Sequence, residues 1–441
     1  MMEWSNWSGS ATCQPASVHY PRTLADIQRA LRAAGPDDTV RVVGAGHSFP
    51  AVATSDDVLL SLERYTGLVD VDTDAETVTV RAGTSLHDLN RALAEHGLAL
   101  ENMGDIDRQS VAGALATGTH GTGDEFGVIA TTVERLRLVT ADGGTRELTP
   151  EDGEAFRAAC VSLGTLGVVT EVTLSVRPAY KLEERTWTAD IDDALADIDR
   201  HRAEHDHFEF WWFPHTGTAW MKTLDEVPDD TPDDPTPAYE ERFENLAWEG
   251  ICRLGTALPR AATPSLNRAT VATFDESRAV GPSHEVYPTT RDVRFNESEF
   301  GVPLDDAVDA FEALRETVRD HRVQFPVEFR TVAGDDLPIS PAYGRDSAFL
   351  ACHTYHRKPY RAFLEDCAAT LEPYDARAHW GKHHWYDADD FADLYPEWET
   401  FQRMRREFDP DGRFLNDHLA RVFGTDGVAS GGETPAPADD D

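Results

Sequence analysis

Two stretches decide how this chain folds: RVVGAGHS at residues 41–48 and QSVAGALATGTHGTG at residues 109–123. In each, glycine, alanine and small hydroxyl residues leave backbone N–H groups open to close approach by an anion or a large flat ligand. The first opens within a β-branched run, Thr39–Val43, that Gly44 breaks. It is not the dinucleotide fingerprint, because Phe49 stands where the third glycine belongs and no helical pattern follows at once. A lone G-x-G is an ordinary turn more often than a ligand loop. Two small-residue loops, both in β context, are harder to read as turns.

The surroundings read as short β units with a few helices. Thr23-Leu-Ala-Asp26 is a capping signal for a helix carried by Leu24, Ile27, Ala30 and Leu31. Asp57–Leu62 and Glu76–Ala82 are strands, the latter alternating Val78 and Val80 with Thr77 and Thr79. Ser85–His96 is a helix ended by Gly97, and Val133–Thr140 with Thr145–Leu148 forms a hairpin about Asp142-Gly143-Gly144. A long alternating strand, Val168–Val176, stops at Pro178. From about Tyr180 the character changes to longer helices, more aromatics and acidic loops. VPDDTPDDPTP at residues 227–237 reads as a mobile surface loop. Tyr395–Phe408 is a helix, Asp409-Pro410-Asp411-Gly412 a turn, and the tail from Gly427 is expected to be disordered.

The 441 residues allow two to four domains, and 10 Trp, 20 Phe and 11 Tyr exclude a solvated, coreless polymer. Forty basic against 80 acidic side chains give a formal charge of −40, which repels phosphate backbones and anionic membranes, so no nucleic-acid partner is expected. Lys181, Lys222, Lys358 and Lys382 are the only lysines. Excess carboxylate with lysine nearly eliminated reads as a surface adapted to molar salt, the mark of a halophilic archaeon. Cys13, Cys160, Cys252, Cys352 and Cys367 are odd in number and contain no C-x-x-C, which argues against disulfides and zinc. MMEWSNWSGS has no signal-peptide character and no apolar run reaches the ~18 residues of a membrane span, so a soluble cytoplasmic protein is expected.

Glu328-Phe329-Arg330 places two opposite charges on one face of a strand, an arrangement that is by itself more often a structural ion pair. Lys382 sits in HWGKHHW, where its retention suggests a need for an ammonium rather than a guanidinium. His379, His383 and His384 flank it without an accompanying carboxylate or cysteine pattern, and no metal is expected.

GAGHS, NMGDIDRQSVAGALATGTHGTG (102–123), SLGTLGVVTEVTL (162–174), EFRTVA (328–333), SPAYGRD (340–346), HWGK (379–382) and DPDGRFLN (409–416) together resemble the vanillyl-alcohol-oxidase superfamily. The likeness is to its sugar-1,4-lactone and alditol oxidase branch. The resemblance implies an α+β fold with an FAD-binding domain (1–178), a substrate-binding cap (179–375), a C-terminal segment returning to the flavin (376–424) and an acidic tail (425–441). It implies FAD bonded covalently through His47, with Gly44, Ala45, Gly46, Ser48, Ser110, Gly113, Thr117, Gly118 and Gly121 holding pyrophosphate and isoalloxazine. His120 would touch the flavin or only fix its loop. Gly167 and Val168 would line the adenine side, and Gly104 would leave room for oxygen at the flavin face.

On the substrate side the resemblance makes Arg330 a stabiliser of negative charge, Glu328 a holder of substrate hydroxyls, and Lys382 the third catalytic group. Asp105 stands where alditol oxidases carry a serine, which favours sugar lactones. Thr354 matches a substrate-side threonine of the alditol branch, although Cys352, His353 and Tyr355 around it differ. The implied reaction is oxidation of an alcohol on a sugar lactone or polyol, with hydride passing to FAD and oxygen then giving hydrogen peroxide. The alternatives are a dehydrogenase using another acceptor, or a flavin-binding protein without catalysis. The cell-wall-precursor reductases share the flavin fold, but their NADPH and nucleotide-sugar site has no counterpart in this sequence.

Overall fold

The computed structural model describes residues 3–236 and 238–424. The expected disordered tail lies outside the described residues. The N-terminal part builds two sheets. A three-stranded parallel sheet runs Ser17–His19, Val58–Ser61, Val40–Val43, and a five-stranded antiparallel sheet runs Thr145–Leu148, Val133–Val139, Val168–Ser175, Thr77–Arg81, Leu68–Asp72. Val78 and Val80 are fully buried, as their alternation predicts. Thr23 closes a capping box with Asp26 at the start of the helix Leu24–Ala33, and Ser85 caps Leu86–Glu95.

The rest of the chain is organised by an eight-stranded antiparallel sheet. Its order is Ser277–Pro282, Lys181–Asp190, Thr218–Val227, His207–Trp212, Val327–Val332, Ser347–Tyr355, Phe295–Pro303, Arg377–Ala378. Register gives this sheet two unlike faces. Phe210, Phe329, Leu350 and Phe300 are successive cross-strand partners on one face. Phe210 stacks on Phe329 at 4.9 Å and meets Phe311 of the helix Ala307–Asp320 at 5.2 Å. Burying each such ring stabilises the fold by roughly 1.5–3 kcal/mol, so this face is the apolar core of the sheet. The opposite face carries Lys222, Glu209, Arg330, Glu328, His353, Glu297 and Glu299.

Three readings of the sequence change. The second small-residue stretch is not loop throughout: Val111–Ala116 is a short helix with Ser110 as its cap. The expected helix Tyr395–Phe408 starts at Trp398, because the helix before it, Ala388–Leu394, ends with Tyr395 as its C-cap. The acidic segment from Val227 is tethered rather than free: Asp234 and Val280 exchange backbone hydrogen bonds, and Lys181 holds Asp233 at 2.8 Å. Pro237, its last residue, lies outside the described residues.

The C-terminal segment docks on the N-terminal sheets. The Val40 N–H donates to the Arg413 carbonyl, and the Asn416 amide donates to the Ala51 and Thr54 carbonyls at 2.7 and 2.8 Å. Arg41, 2% exposed, ties three distant segments together through the carbonyls of Val52, Leu163 and Phe414 at 2.6–2.8 Å. Segments 41–48 and 162–167, which contribute to one groove, are thereby locked to segment 409–416.

Candidate active site

That groove spans about 1050 Å³ of atom-free space, open to solvent at its mouth, and is lined by Gly44–Ser48, Ser110, Gly113, Thr117, Gly164 and Gly167 among others. Its two small-residue stretches touch. A Cβ on Gly44 would lie 1.9 Å from the Ser110 hydroxyl, so only glycine lets them approach this closely. The loop 44–48 is held from behind by the N-terminus. The Asn6 amide donates to the Ser48 and Phe49 carbonyls, the Trp7 N–H donates to the Gly46 carbonyl, and the Trp7 ring stacks on His47 at 5.9 Å. Burial and the ammonium of Lys382 push the His47 imidazole down to about 4, so the ring is neutral at pH 7 with its lone pair free. The Phe49 N–H donates to the Gly381 carbonyl, which sets HWGK against this loop.

The polar face of the cap sheet supplies a continuous charged array. Lys382 Nζ meets Glu297 at 2.5 Å, Glu297 faces His353 Nε2 at 3.4 Å, and His353 lies 3.6 Å from Glu328. Glu328 meets Arg330 Nη2 at 2.6 Å, and Arg330 also holds Glu209 through Nε at 2.6 Å and Asp105 through Nη2 at 2.9 Å. The expected trio of Glu328, Arg330 and Lys382 thus falls on one surface. Burial would raise Asp105, but Lys222, Arg330 and Arg291 overcome it and hold the carboxyl well below the usual range. Burial would lower His353, but Glu297 and Glu328 outweigh it and raise the imidazole, favouring its protonated form. His353 Nδ1 donates to the Pro326 carbonyl at 3.1 Å, which fixes the ring between the two carboxylates.

Some expected residues stand elsewhere. Val168 is fully buried in the strand core, and it is Gly167 and Val169 that line the groove, since adjacent strand residues face opposite sides. Thr354 pairs with Asn296 on the face opposite Glu328, and His353 takes the site-facing position. Gly104, Gly118, His120 and Gly121 are not among the groove's lining residues. A Cβ on Gly104 would lie 2.8 Å from the His120 carbonyl and 3.8 Å from Arg330, so the missing methyl accommodates backbone rather than opening a channel. His120 packs on Phe349 at 4.0 Å and directs Nε2 at Glu299, 3.5 Å away. Its Nδ1 donates to the Gly121 carbonyl at 2.8 Å, and burial lowers the imidazole from its ordinary value, so Nε2 faces Glu299 without a hydrogen bond.

The three histidines around Lys382 do not converge. His383 bonds Asn296, His384 packs edge-on to Phe391, and His379 faces His120. The residues that sequence reasoning missed are Lys222, Glu209, Arg291, Glu297, Glu299 and His353, with Asn6 and Trp7 behind the loop. Lysine scarcity alone singles out Lys222 as strongly as Lys382. The others carried no local signal, since long-range strand pairing assembles them.

A glycine-built cradle, a neutral histidine at its rim and a facing array of buried charges fit a flavin. The class is an FAD-dependent oxidoreductase with a PCMH-type FAD-binding domain, and comparison with known proteins agrees. Residues 15–149 match the FAD binding domain family, and residues 172–422 match the D-arabinono-1,4-lactone oxidase family, to which this chain belongs. The L-gulono-1,4-lactone dehydrogenase of Mycobacterium tuberculosis is 36% identical, over 96% of this chain and 99% of its own. The L-gulonolactone oxidase of Scyliorhinus torazame is 30% identical, over 96% of this chain and 98% of its own. The crystal structure of cholesterol oxidase from Brevibacterium sterolicum superposes with a TM-score of 0.79 at 18% identity, covering 96% of each chain.

Proposed function

We propose that this enzyme oxidises a hydroxyl group of a sugar-1,4-lactone, with a polyol as the second substrate class. One observation carries the reading: Glu328, Arg330, Asp105 and Lys382 lie on a single buried face beside the cradle. The family's name and its lactone-acting relatives support the substrate class. Bound FAD would supply the hydride acceptor, held by Gly44, Gly46, Ser48, Ser110, Gly113 and Thr117. The chain's own groups bind and orient. Glu328 accepts from substrate hydroxyls, Arg330 and Lys382 stabilise negative charge on the oxidised oxygen, and His353 and Glu297 set the charge around them. Asp105 meets Arg330 at 2.9 Å and stands where alditol oxidases carry a serine, which ranks the lactone reading above the polyol one.

Neutral His47 at the rim of the cradle suits a covalent link to the flavin. His47→Ala is expected to release FAD into an acid supernatant, whereas the wild-type protein stays fluorescent after denaturing electrophoresis. Free flavin from the wild-type protein would contradict the link.

Oxygen as the electron acceptor, giving hydrogen peroxide, is the first reading. An acceptor other than oxygen is the second. Both are decided by one experiment: aldonolactones and polyols assayed with dye and, separately, with dissolved oxygen. Dye reduction by lactones above all other substrates supports the substrate reading, and peroxide formation at a comparable rate selects the oxidase. No turnover with any lactone or polyol would leave a flavin-binding protein without catalysis.

The charge of −40 also has a measurable consequence. We infer a salt-adapted protein from a halophilic archaeon, working in a saline cytoplasm. No helix among the described residues is long and apolar enough to cross a membrane. Tm is expected to rise between dilute buffer and molar KCl as screening relieves carboxylate repulsion. A flat response would remove the salt-adaptation reading.

A further inference from the structure

Lys222 is 3% exposed and lies among three carboxylates from three separate parts of the chain. Its Nζ stands 3.1 Å from Glu209 Oε1, 3.4 Å from Glu184 and 3.4 Å from Asp105 Oδ1. The remaining oxygen of two of these goes to one destination. Glu209 Oε2 forms an ion pair with Arg330 Nε at 2.6 Å, and Asp105 Oδ2 accepts from Arg330 Nη2 at 2.9 Å. Ammonium and guanidinium are therefore joined by two carboxylate bridges, each using both of its oxygens. The bridges approach Arg330 from two sides, Glu209 from the neighbouring strand and Asp105 from the loop that follows Met103.

We propose that Lys222 is a positioning residue for Arg330: by pinning the far oxygens of Glu209 and Asp105, it fixes the plane in which the guanidinium faces the substrate. The proposal rests on the reading of Arg330 as the group that stabilises charge on the reacting oxygen. Around the pair, the groups in contact are Glu184, Glu209, Asp105 and Glu328 on the acidic side, with Lys222, Arg330 and the rim residue Arg291 on the basic side. His207 stands on the same strand face two residues from Glu209, and its Nε2 accepts from the Tyr287 hydroxyl. Four carboxylates face three cations, with the His353 imidazole 3.6 Å from Glu328 as a further group that can carry positive charge. Without Lys222 the Glu209 carboxyl, which burial already raises, loses one of the two cations that lower it and takes up a proton more readily. A protonated carboxyl grips Arg330 weakly, so the guanidinium loses its fixed plane. As pH rises the proton leaves and the grip returns, which gives the variant an acid-side loss that the wild type lacks.

The experiment is anaerobic stopped-flow reduction of the FAD-loaded enzyme by L-gulono-1,4-lactone from pH 5.5 to 8.5, comparing wild type, Lys222→Met, Lys222→Arg and Arg330→Met. Lys222→Met is expected to lower the limiting reduction rate at least tenfold at pH 6, with recovery towards pH 8.5. FAD content should stay normal and the substrate Kd should change less than threefold. Lys222→Arg, which keeps a cation among the three carboxylates, should stay within threefold of wild type with a flat profile. A wild-type rate and profile in Lys222→Met overturns the proposal. So does a loss that is equal at every pH and matches lost FAD, as a mere clamp between loop and sheet would give. If Lys222→Met does not fold, Lys222→Met/Glu184→Gln, which removes one unit of each charge, should fold and show the same acid-side loss. A wild-type rate in Arg330→Met would instead sink the reading of Arg330, an outcome separable from failure of Lys222→Met alone.

Discussion

Arg330→Met is expected to lower the rate of substrate-dependent flavin reduction by a hundredfold or more, about 3 kcal/mol, the scale of losing one preorganised donor. The guanidinium is preorganised in a literal sense, since Glu209, Glu328 and Asp105 each hold it within 3 Å. Negative charge develops on the substrate oxygen only as the reaction proceeds, so a fixed cation acts mainly in the transition state. The rate constant should fall further than substrate affinity. Arg330→Lys should recover only part of the loss, because a single ammonium cannot reach three carboxylates in the positions a planar fork satisfies. Glu328→Gln should weaken substrate binding as well as the rate, since a carboxylate already accepts hydroxyls in the ground state. Lys382→Met belongs with Arg330→Met in size, and Lys382→Arg separates charge from shape. If Arg330→Met and Lys382→Met both reduce flavin at the wild-type rate with normal FAD content, the array is structural and the chemistry lies elsewhere.

The parts of this fold legible in the sequence are those set by local physics. Thr23 and Ser85 announce their helices because a cap is a contact between near neighbours, and Val78 and Val80 announce a half-buried strand through period two. Glu328 and Arg330 share a face for the same reason. What was not legible depends on register. His353 or Thr354 could each have faced the substrate, and the choice follows from the pairing of Glu328 with Ala351 and of Glu297 with His353. One residue of slip would exchange them. The same parity decides between Val168, buried in the strand core, and Val169, which lines the groove. Glu297 and Glu299 looked like two more acids in a chain with 80 of them, and only the sheet places them against Lys382 and His120. The family resemblance carried what local physics could not, namely the pairing of the two small-residue stretches around one ligand.

That pairing makes Gly44 the position with the most severe expected outcome. A methyl at Gly44 would meet the Ser110 hydroxyl at 1.9 Å and its Cβ at 2.9 Å, so rotating the serine side chain does not relieve the overlap. Ser110 is not free to retreat. Its hydroxyl accepts from the Gly113 N–H as the cap of Val111–Ala116, and the Val111 and Ala112 N–H groups donate to the Thr84 and Ala82 carbonyls. Loop 44–48 is equally held, by Asn6, Trp7 and Gly381. Both sides of the cradle are braced from behind, so the added atom must force them apart where the cofactor's backbone contacts are made. Gly44→Val is expected to yield folded protein without bound FAD, read as loss of yellow absorbance with far-UV circular dichroism retained. Gly44→Ala should bind FAD at least tenfold more weakly than wild type. The double variant Gly44→Ala/Ser110→Gly removes the obstructing side chain at a capping cost of only a few tenths of a kcal/mol, and should regain most of the affinity. Wild-type affinity in Gly44→Ala, or no recovery in the double variant, would mean that the contact between Gly44 and Ser110 does not shape the FAD site.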